Sequence, residues 1–357
     1  METIAATATA VPPYLMTREA TKQAMREVFR LEPRRLAAVM SIFDNAQVER
    51  RHSVFPIEYL VRPRSLTQTN AEYQEHALAL SRRVALDCLE QAGLRPSDVD
   101  FLISVSCTGY MIPSLDAYLI GDLGFRPNVR RLPITELGCV AGAMALSRAR
   151  ELVRAFPDTN ALVITVELPT LTLQHGDYSQ ANLVSCALFG DGAAAALVTS
   201  RATPGAQIID TEAHLFPDSL DAMGFDLRDN GFHMVLSKDV PDLLRGAIGG
   251  VIRLFLARHG LTEAQLSAFL LHPGGKKILY NLEDELGIAR HKTAPSWEVL
   301  RDFGNLSSAT LLFVLREWMT KRRLAEGAYG LMAGFGPGLS AELLLLRFVG
   351  EGAEAGG

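Results

Sequence analysis

The feature that most restricts how this chain can fold is that it repeats itself. Gly93-Leu94, a short polar turn and the apolar run Phe101-Leu102-Ile103-Ser104 return as Gly260-Leu261, a similar turn and Phe269-Leu270-Leu271-His272. Gly138-Cys139, followed by a segment of small residues, returns as Gly304-Asn305, followed by another. The spacing is kept: Phe101 to Cys139 is 38 residues and Phe269 to Asn305 is 36. A further apolar strand follows each helix, Ala161 to Val166 and Gly330 to Ala333, and each half closes on one more, Ala193 to Val198 and Glu342 to Phe348. A period near half the chain means two copies of one structural unit.

Strands alternating with helices imply α/β layering. The near-continuous apolar runs fit strands buried on both faces. The Ala/Gly/Ser-rich helices after Cys139 and Asn305 suit close packing, since small side chains let backbones approach. The chain therefore divides into two similar α/β halves, residues 1–203 and 204–357, joined near Thr199 to Ala206. Packed about a pseudo-twofold axis, the N-termini of the two equivalent helices would meet at the centre. Residues 1–13, Ala/Thr-rich and ending in Pro12-Pro13, are expected to form an arm rather than core. Residues 18–50 read as helical, and the tail from Gly350 is expected to fray.

Bulk properties exclude several classes. With 357 residues, 48% hydrophobic and 21% charged, the chain buries a large core. A net charge of -5 with both signs interspersed argues against a nucleic-acid binder, which would show a basic stripe. No apolar run is long enough to cross a bilayer, and no basic segment precedes an apolar one at the N-terminus, so neither an integral membrane protein nor a secretory signal is expected. Cys88, Cys107, Cys139 and Cys186 lack CxxC spacing, which disfavours a disulfide framework or a zinc site and suits a reducing cytoplasm.

The repeat places a cysteine and an asparagine at equivalent positions, with Leu-Leu-His272-Pro-Gly-Gly between them. A thiol attacks as thiolate, and a helix N-terminus with a nearby imidazole is expected to lower its pKa. His272, at the end of an apolar strand, should project into a cleft, and Asn305 offers an uncharged donor for an oxyanion or enolate. Singly, each has a commonplace explanation: a buried small hydrophobe, a turn residue, a helix cap. Held in register within a repeat, the three together point to thioester chemistry. Two glycine-rich stretches, Phe189-Gly190-Asp191-Gly192-Ala193 and Gly334-Phe335-Gly336-Pro337-Gly338, match no phosphate-cradling fingerprint; the second reads as a tight loop after the last-but-one strand.

Gly138-Cys139, Leu188-Phe189-Gly190-Asp191-Gly192, His272-Pro273-Gly274-Gly275, Gly304-Asn305-Leu306-Ser307-Ser308 and Gly334 to Gly338 occur in the order found in type III polyketide synthases, the chalcone-synthase-like enzymes. The resemblance runs from about residue 15 to 350. It implies a thiolase-like α/β fold of five layers (αβαβα) and a homodimer with apolar residues near Ile112 at its interface. It also implies that Cys139 carries an acyl-CoA starter as a thioester, while His272 and Asn305 bind malonyl-CoA, aid its decarboxylation and stabilise the enolate. No metal or redox cofactor is implied. Phe189 matches a gatekeeper aromatic, and the Gly334 to Gly338 loop matches one that shapes the cyclisation pocket.

Departures from the family pattern bear on substrate. Met234 stands at a second gatekeeper position, Phe225 replaces a pocket-lining glycine, and Thr172, Cys107 and Ser307 fall at cavity positions. A bulky Phe225 crowds an aromatic starter, so an aliphatic, long-chain acyl-CoA extended to a pyrone or resorcinol, as in bacterial alkylpyrone and alkylresorcinol synthases, is the expectation. The family's CoA-gripping basic residues do not align. Arg50, Arg51, Lys276 and Lys277 are the candidates to replace them, although each is also an ordinary solvated cation. The alternatives are an initiating ketoacyl-ACP synthase that condenses once, a non-catalytic subunit that kept the fold, and a cysteine hydrolase.

Overall fold

The computed structural model describes residues 2–29, 31–321 and 324–350. In chain order, the strands among them are β1 (Thr3–Ala10), β2 (Tyr14–Thr17), β3 (Arg50–Ser53), β4 (Phe101–Val105), β5 (Arg130–Ile134), β6 (Asn160–Glu167) and β7 (Gly192–Thr199). They continue as β8 (Gly205–Leu215), β9 (Met223–Arg228), β10 (Gly231–Leu236), β11 (Ala268–Leu271), β12 (Tyr329–Gly336) and β13 (Ser340–Val349). Nine of these make one hydrogen-bonded sheet in the order β11-β12-β13-β8-β1-β7-β6-β4-β5; β2 pairs with β3 and β9 with β10.

The strands of the repeat occupy equivalent places in that sheet. β4 runs parallel to β6, which pairs antiparallel with β7, and β7 pairs antiparallel with β1. β11, β12, β13 and β8 follow the same sequence of senses. The two series meet where Thr3 and Ile4 of β1 lie against Gln207 and Ala206 of β8. Successive side chains point to opposite faces of a strand. Ile103, Val163, Leu270 and Met332 accordingly pack inward with the helices Ala141–Ala155 and Thr310–Thr320. Leu102 and Leu162 pack outward with the long helix Leu66–Gln91, and Phe269 and Leu331 pack outward with Ile248–Ala257 and Lys276–Leu286. Helix, sheet, helix pair, sheet and helix make the five layers of a thiolase-like fold.

Local sequence explains the fit. Ser65 and Gln68 form a capping box that starts the Leu66–Gln91 helix. Its buried Tyr73, Ala77, Leu80, Val84, Ala85 and Cys88 recur at helical spacing to make the sheet-facing stripe. The central helices touch at their N-terminal ends, where a Cβ on Gly142 would lie 2.1 Å from the Ser308 carbonyl oxygen. Only glycine admits that approach.

Two expectations are corrected. Residues 3–10 are not an arm but β1, a buried strand at the middle of the sheet, paired along its length with β7. Its Ala/Thr composition looks weakly hydrophobic because the strand lies between two packed layers, where small side chains fit. Gly334 to Gly336 are not loop but the end of β12; the turn is Pro337-Gly338-Leu339, with Gly338 at φ +70. The glycines serve proximity instead: a Cβ on Gly336 would sit 2.7 Å from the Val140 nitrogen, beside Cys139. Residues 18–50 are mainly the helices Arg18–Val28 and Pro33–Asn45, as expected. The tail beyond Gly350, expected to fray, lies outside the described residues. No helix among them is long and apolar enough to cross a membrane.

Candidate active site

Cys139 sits in the single turn Gly138–Val140 that feeds the central helix, and is 9% exposed. Gly138, at φ +52, lets the turn pass Pro337, whose ring a Cβ would meet at 2.8 Å. His272 follows β11 directly, anchored by its backbone N–H donating to the Ala333 carbonyl at 2.9 Å. Its ring is 1% exposed, yet neither ring nitrogen hydrogen-bonds a described residue. Buried polar atoms are ordinarily paired, so an unpaired imidazole on a cavity wall is available to a ligand.

Asn305 is placed by backbone pairing across the two halves. Its N–H donates to the Leu188 carbonyl at 2.9 Å, and the Gly190 N–H donates to its own carbonyl at 3.1 Å. Gly304 before it, at φ +72, has no room for a Cβ, which would fall 2.4 Å from the Leu188 oxygen. The amide is oriented because the Ser307 N–H donates to its Oδ1 at 2.8 Å. Oδ1 also accepts from the Thr310 hydroxyl at 3.2 Å, which leaves the NH2 group with no acceptor but the thiol among the described residues; Nδ2 and Oδ1 both stand 3.9 Å from Cys139 Sγ. The hydroxyl of Ser307 lies 3.6 Å from the sulfurs of both Cys139 and Cys107.

These groups line one inner cavity of about 60 Å³ together with Phe189, Phe225, Met234, Phe335 and Pro337. It adjoins a chamber of about 970 Å³ that shares Cys107, Phe225 and Pro337 and continues along Leu66, Asn70 and Gln74 of the long helix. Thr172 does not line the inner cavity; its hydroxyl donates to the Pro169 carbonyl at 2.9 Å, and it faces a small separate pocket beside Phe232. Gly334, Gly336 and Gly338 are not among the residues lining it, while Phe335 and Pro337 between them are.

Burial pushes the Cys139 thiol up to about 11 and the His272 imidazole down to about 3. This corrects the expectation of a lowered thiol pKa: desolvation outweighs the helix N-terminus, and at neutral pH both groups rest uncharged.

Of the four basic candidates, Arg51 is 5% exposed and turned inward. Its guanidinium donates to the Phe189 carbonyl at 2.7 Å and to the Cys186 carbonyl, so it holds the turn at Phe189 and cannot reach a surface phosphate. Arg50 pairs with Asp302 at 3.3 Å, Lys276 donates to Asn45 Oδ1 at 3.3 Å, and Lys277 is exposed. Among the described residues no group of three His, Cys, Asp or Glu could hold a metal ion.

The sequence reading missed Glu167 at the end of β6. Its buried carboxylate accepts from the Ser308 hydroxyl at 2.5 Å, the Thr108 hydroxyl at 2.8 Å and the Cys107 N–H at 3.1 Å, bracing the wall behind the cysteines. A lone acid ending the apolar run Ala161 to Val166 was the signal. Asp191, in the glycine-rich stretch after Phe189, plays a similar part, accepting from the backbone N–H groups of Val54 at 3.0 Å and Thr170 at 2.9 Å. Asp191→Ala orphans these two N–H groups and the Thr170 hydroxyl, so urea denaturation should show a loss of about 2–4 kcal/mol. A loss within error would mean water replaces the carboxylate.

A buried thiol, an unpaired imidazole and an oriented amide, converging beside a large chamber in a duplicated fold, define a protein equipped for thioester carbon–carbon chemistry. Comparison with known proteins agrees. Residues 3–202 match the family model for chalcone and stilbene synthases, N-terminal domain, and residues 207–350 match the C-terminal domain. A 1,3,6,8-tetrahydroxynaphthalene synthase of Streptomyces peucetius subsp. caesius is 37% identical over 351 residues, covering 97% of this chain and 93% of that protein. A phloroglucinol synthase of Pseudomonas fluorescens is 34% identical, covering 87% and 88%. The crystal structure of the tetrahydroxynaphthalene synthase of Streptomyces coelicolor superposes with a TM-score of 0.94 at 34% identity, covering 97% of this chain and 99% of that one. The chain belongs to the chalcone and stilbene synthase family, the type III polyketide synthases, and is an acyltransferase-type condensing enzyme acting on CoA thioesters. The single-condensation ketoacyl synthase alternative is thereby set aside.

Proposed function

We propose that the enzyme loads an aliphatic, long-chain acyl group on Cys139, extends it iteratively with malonyl-CoA and releases a pyrone or resorcinol. Cys139 Sγ attacks the starter thioester as His272 takes its proton, and the imidazolium returns that proton to the CoA sulfur, which leaves as its thiol. Malonyl-CoA then enters with its thioester oxygen on Asn305 Nδ2 and the imidazole N–H. Loss of carbon dioxide leaves an enolate held by those donors. The enolate carbon bonds to the acyl carbon and the Cys139 sulfur departs as thiolate, so decarboxylation drives the step and no metal or redox cofactor is called for.

The observation that carries the substrate reading is the 970 Å³ chamber reached past Phe225, which gives a long tail somewhere to lie. A homodimer is part of the proposal: Ile112 is apolar and 78% exposed in the single chain, which suits a surface that another copy covers. The four free cysteines suit a reducing cytoplasm.

Incubation with malonyl-CoA and starters from acetyl to long-chain and aromatic acyl-CoA, with products read by mass spectrometry, tests the reading. Alkylated pyrones or resorcinols support it. A second reading, a hydroxylated aromatic made as the names of the two relatives indicate, draws on the polar Thr67, Asn70, Gln74 and Glu136 lining the chamber. A polyhydroxylated product from malonyl-CoA alone would establish it instead. Phe225→Gly should open the constriction and extend the starter range to aromatic acyl groups. An unchanged starter profile would show that Phe225 does not control entry.

A further inference from the structure

Seven residues lining the inner cavity and the larger chamber come from one hairpin that is not part of the nine-stranded sheet. β9 and β10 pair only with each other, and an isolated two-stranded hairpin is marginally stable in water, so its position must be imposed from outside. Phe225 lies directly opposite Met234, and Leu227 opposite Phe232. These four share one face and line the inner cavity or the larger chamber, whereas His233 falls on the opposite face.

The polar contacts that hold this hairpin centre on one buried side chain. Gln174 Nε2 donates to the Phe232 carbonyl at 3.1 Å and to the Thr172 carbonyl at 3.2 Å, while its Oε1 accepts from Asn230 Nδ2 at 3.2 Å. Asn230 Oδ1 in turn accepts from His233 Nε2 at 2.9 Å, and His233 Nδ1 stands 3.5 Å from the Asp177 carboxylate. The other end of the clamp is fixed by Asn182, which donates to the carbonyls of Gln174 at 2.9 Å and Asp177 at 2.8 Å. Asn182 belongs to the helix Gln180–Leu188, which ends at Phe189. The hairpin accommodates the clamp with Gly231, at φ +136, where a Cβ would lie 2.7 Å from Gln174 Nε2.

We propose that Gln174 is a positioning residue for product specificity, holding the β9–β10 hairpin so that Phe225 and Met234 limit the space beside Cys139 in which the chain grows. The proposal rests on the synthase reading. Gln174 touches no reacting atom and acts through the hairpin, so its loss should change what is made more than how fast malonyl-CoA is consumed.

The test is the product distribution of Gln174→Ala, with wild type and Phe225→Gly alongside. The variant should shift the ratio of longer to shorter products by roughly fivefold, as loss of one net hydrogen bond does, with malonyl-CoA consumption near the wild-type rate. Combined with Phe225→Gly, it should add little, because both changes act on the same wall. Asn230→Ala, at an exposed turn, removes one of the two hydrogen bonds from Gln174 to the hairpin without disturbing the core, and should shift the ratio the same way by a smaller factor, which keeps the test decisive if Gln174→Ala does not fold. Reduced turnover with an unchanged product ratio, or a shift that adds in full to that of Phe225→Gly, would overturn the proposal. Failure of the synthase reading would look different, as no condensation product from the wild type.

Discussion

Cys139→Ala should lose polyketide formation by at least about ten-thousand-fold, the scale on which removing a catalytic nucleophile acts, while continuing to decarboxylate malonyl-CoA. The split follows from the geometry. The sulfur is the only part of the site the substitution removes; the His272 ring hydrogen-bonds no described residue, and Asn305 keeps its orientation from the Ser307 N–H at 2.8 Å. An enolate can therefore still form, but no acyl group waits to receive it. The assay is carbon dioxide and acetyl-CoA release beside product formation. Full polyketide synthesis by the variant would remove Cys139 from the nucleophile's role, and loss of decarboxylation as well would mean that the thiol also shapes the enolate site.

The second large effect is expected at Asn305. Asn305→Ala should slow decarboxylation and chain extension by about 10²–10³-fold, the usual consequence of deleting one donor to a developing oxyanion. Loading of Cys139, followed by intact-protein mass after a single turnover with starter alone, should suffer far less. The reason is donor supply: Oδ1 is occupied by the Ser307 N–H and the Thr310 hydroxyl, so the NH2 group is the part of the amide left for a ligand. A variant that decarboxylates at the wild-type rate would show that the imidazole alone holds the enolate.

Much of the framework was legible before any coordinates. The strands at Phe101, Ala161, Ala193, Phe269, Gly330 and Glu342 lie where the repeat placed them, because strands buried on both faces write themselves as unbroken apolar runs. The same logic failed at Thr3–Ala10, where a central strand is written in alanine and threonine and carries little hydrophobic signal. It failed again at Gly334 and Gly336, whose glycines mark contact with the Cys139 turn rather than a loop.

The sequence by itself determined the duplicated α/β framework and singled out Cys139, His272 and Asn305, which line one cavity, since spacing records both and needs no tertiary contact to be read. Tertiary structure alone decided which way Arg51 turns, that Thr172 stands outside the cavity, that Glu167 braces its wall, and that burial keeps the thiol and imidazole uncharged at rest. Each of those depends on atoms brought together from residues far apart in the chain. Desolvation, cavity size and hydrogen-bond direction are properties of that assembled environment, and no local pattern encodes them.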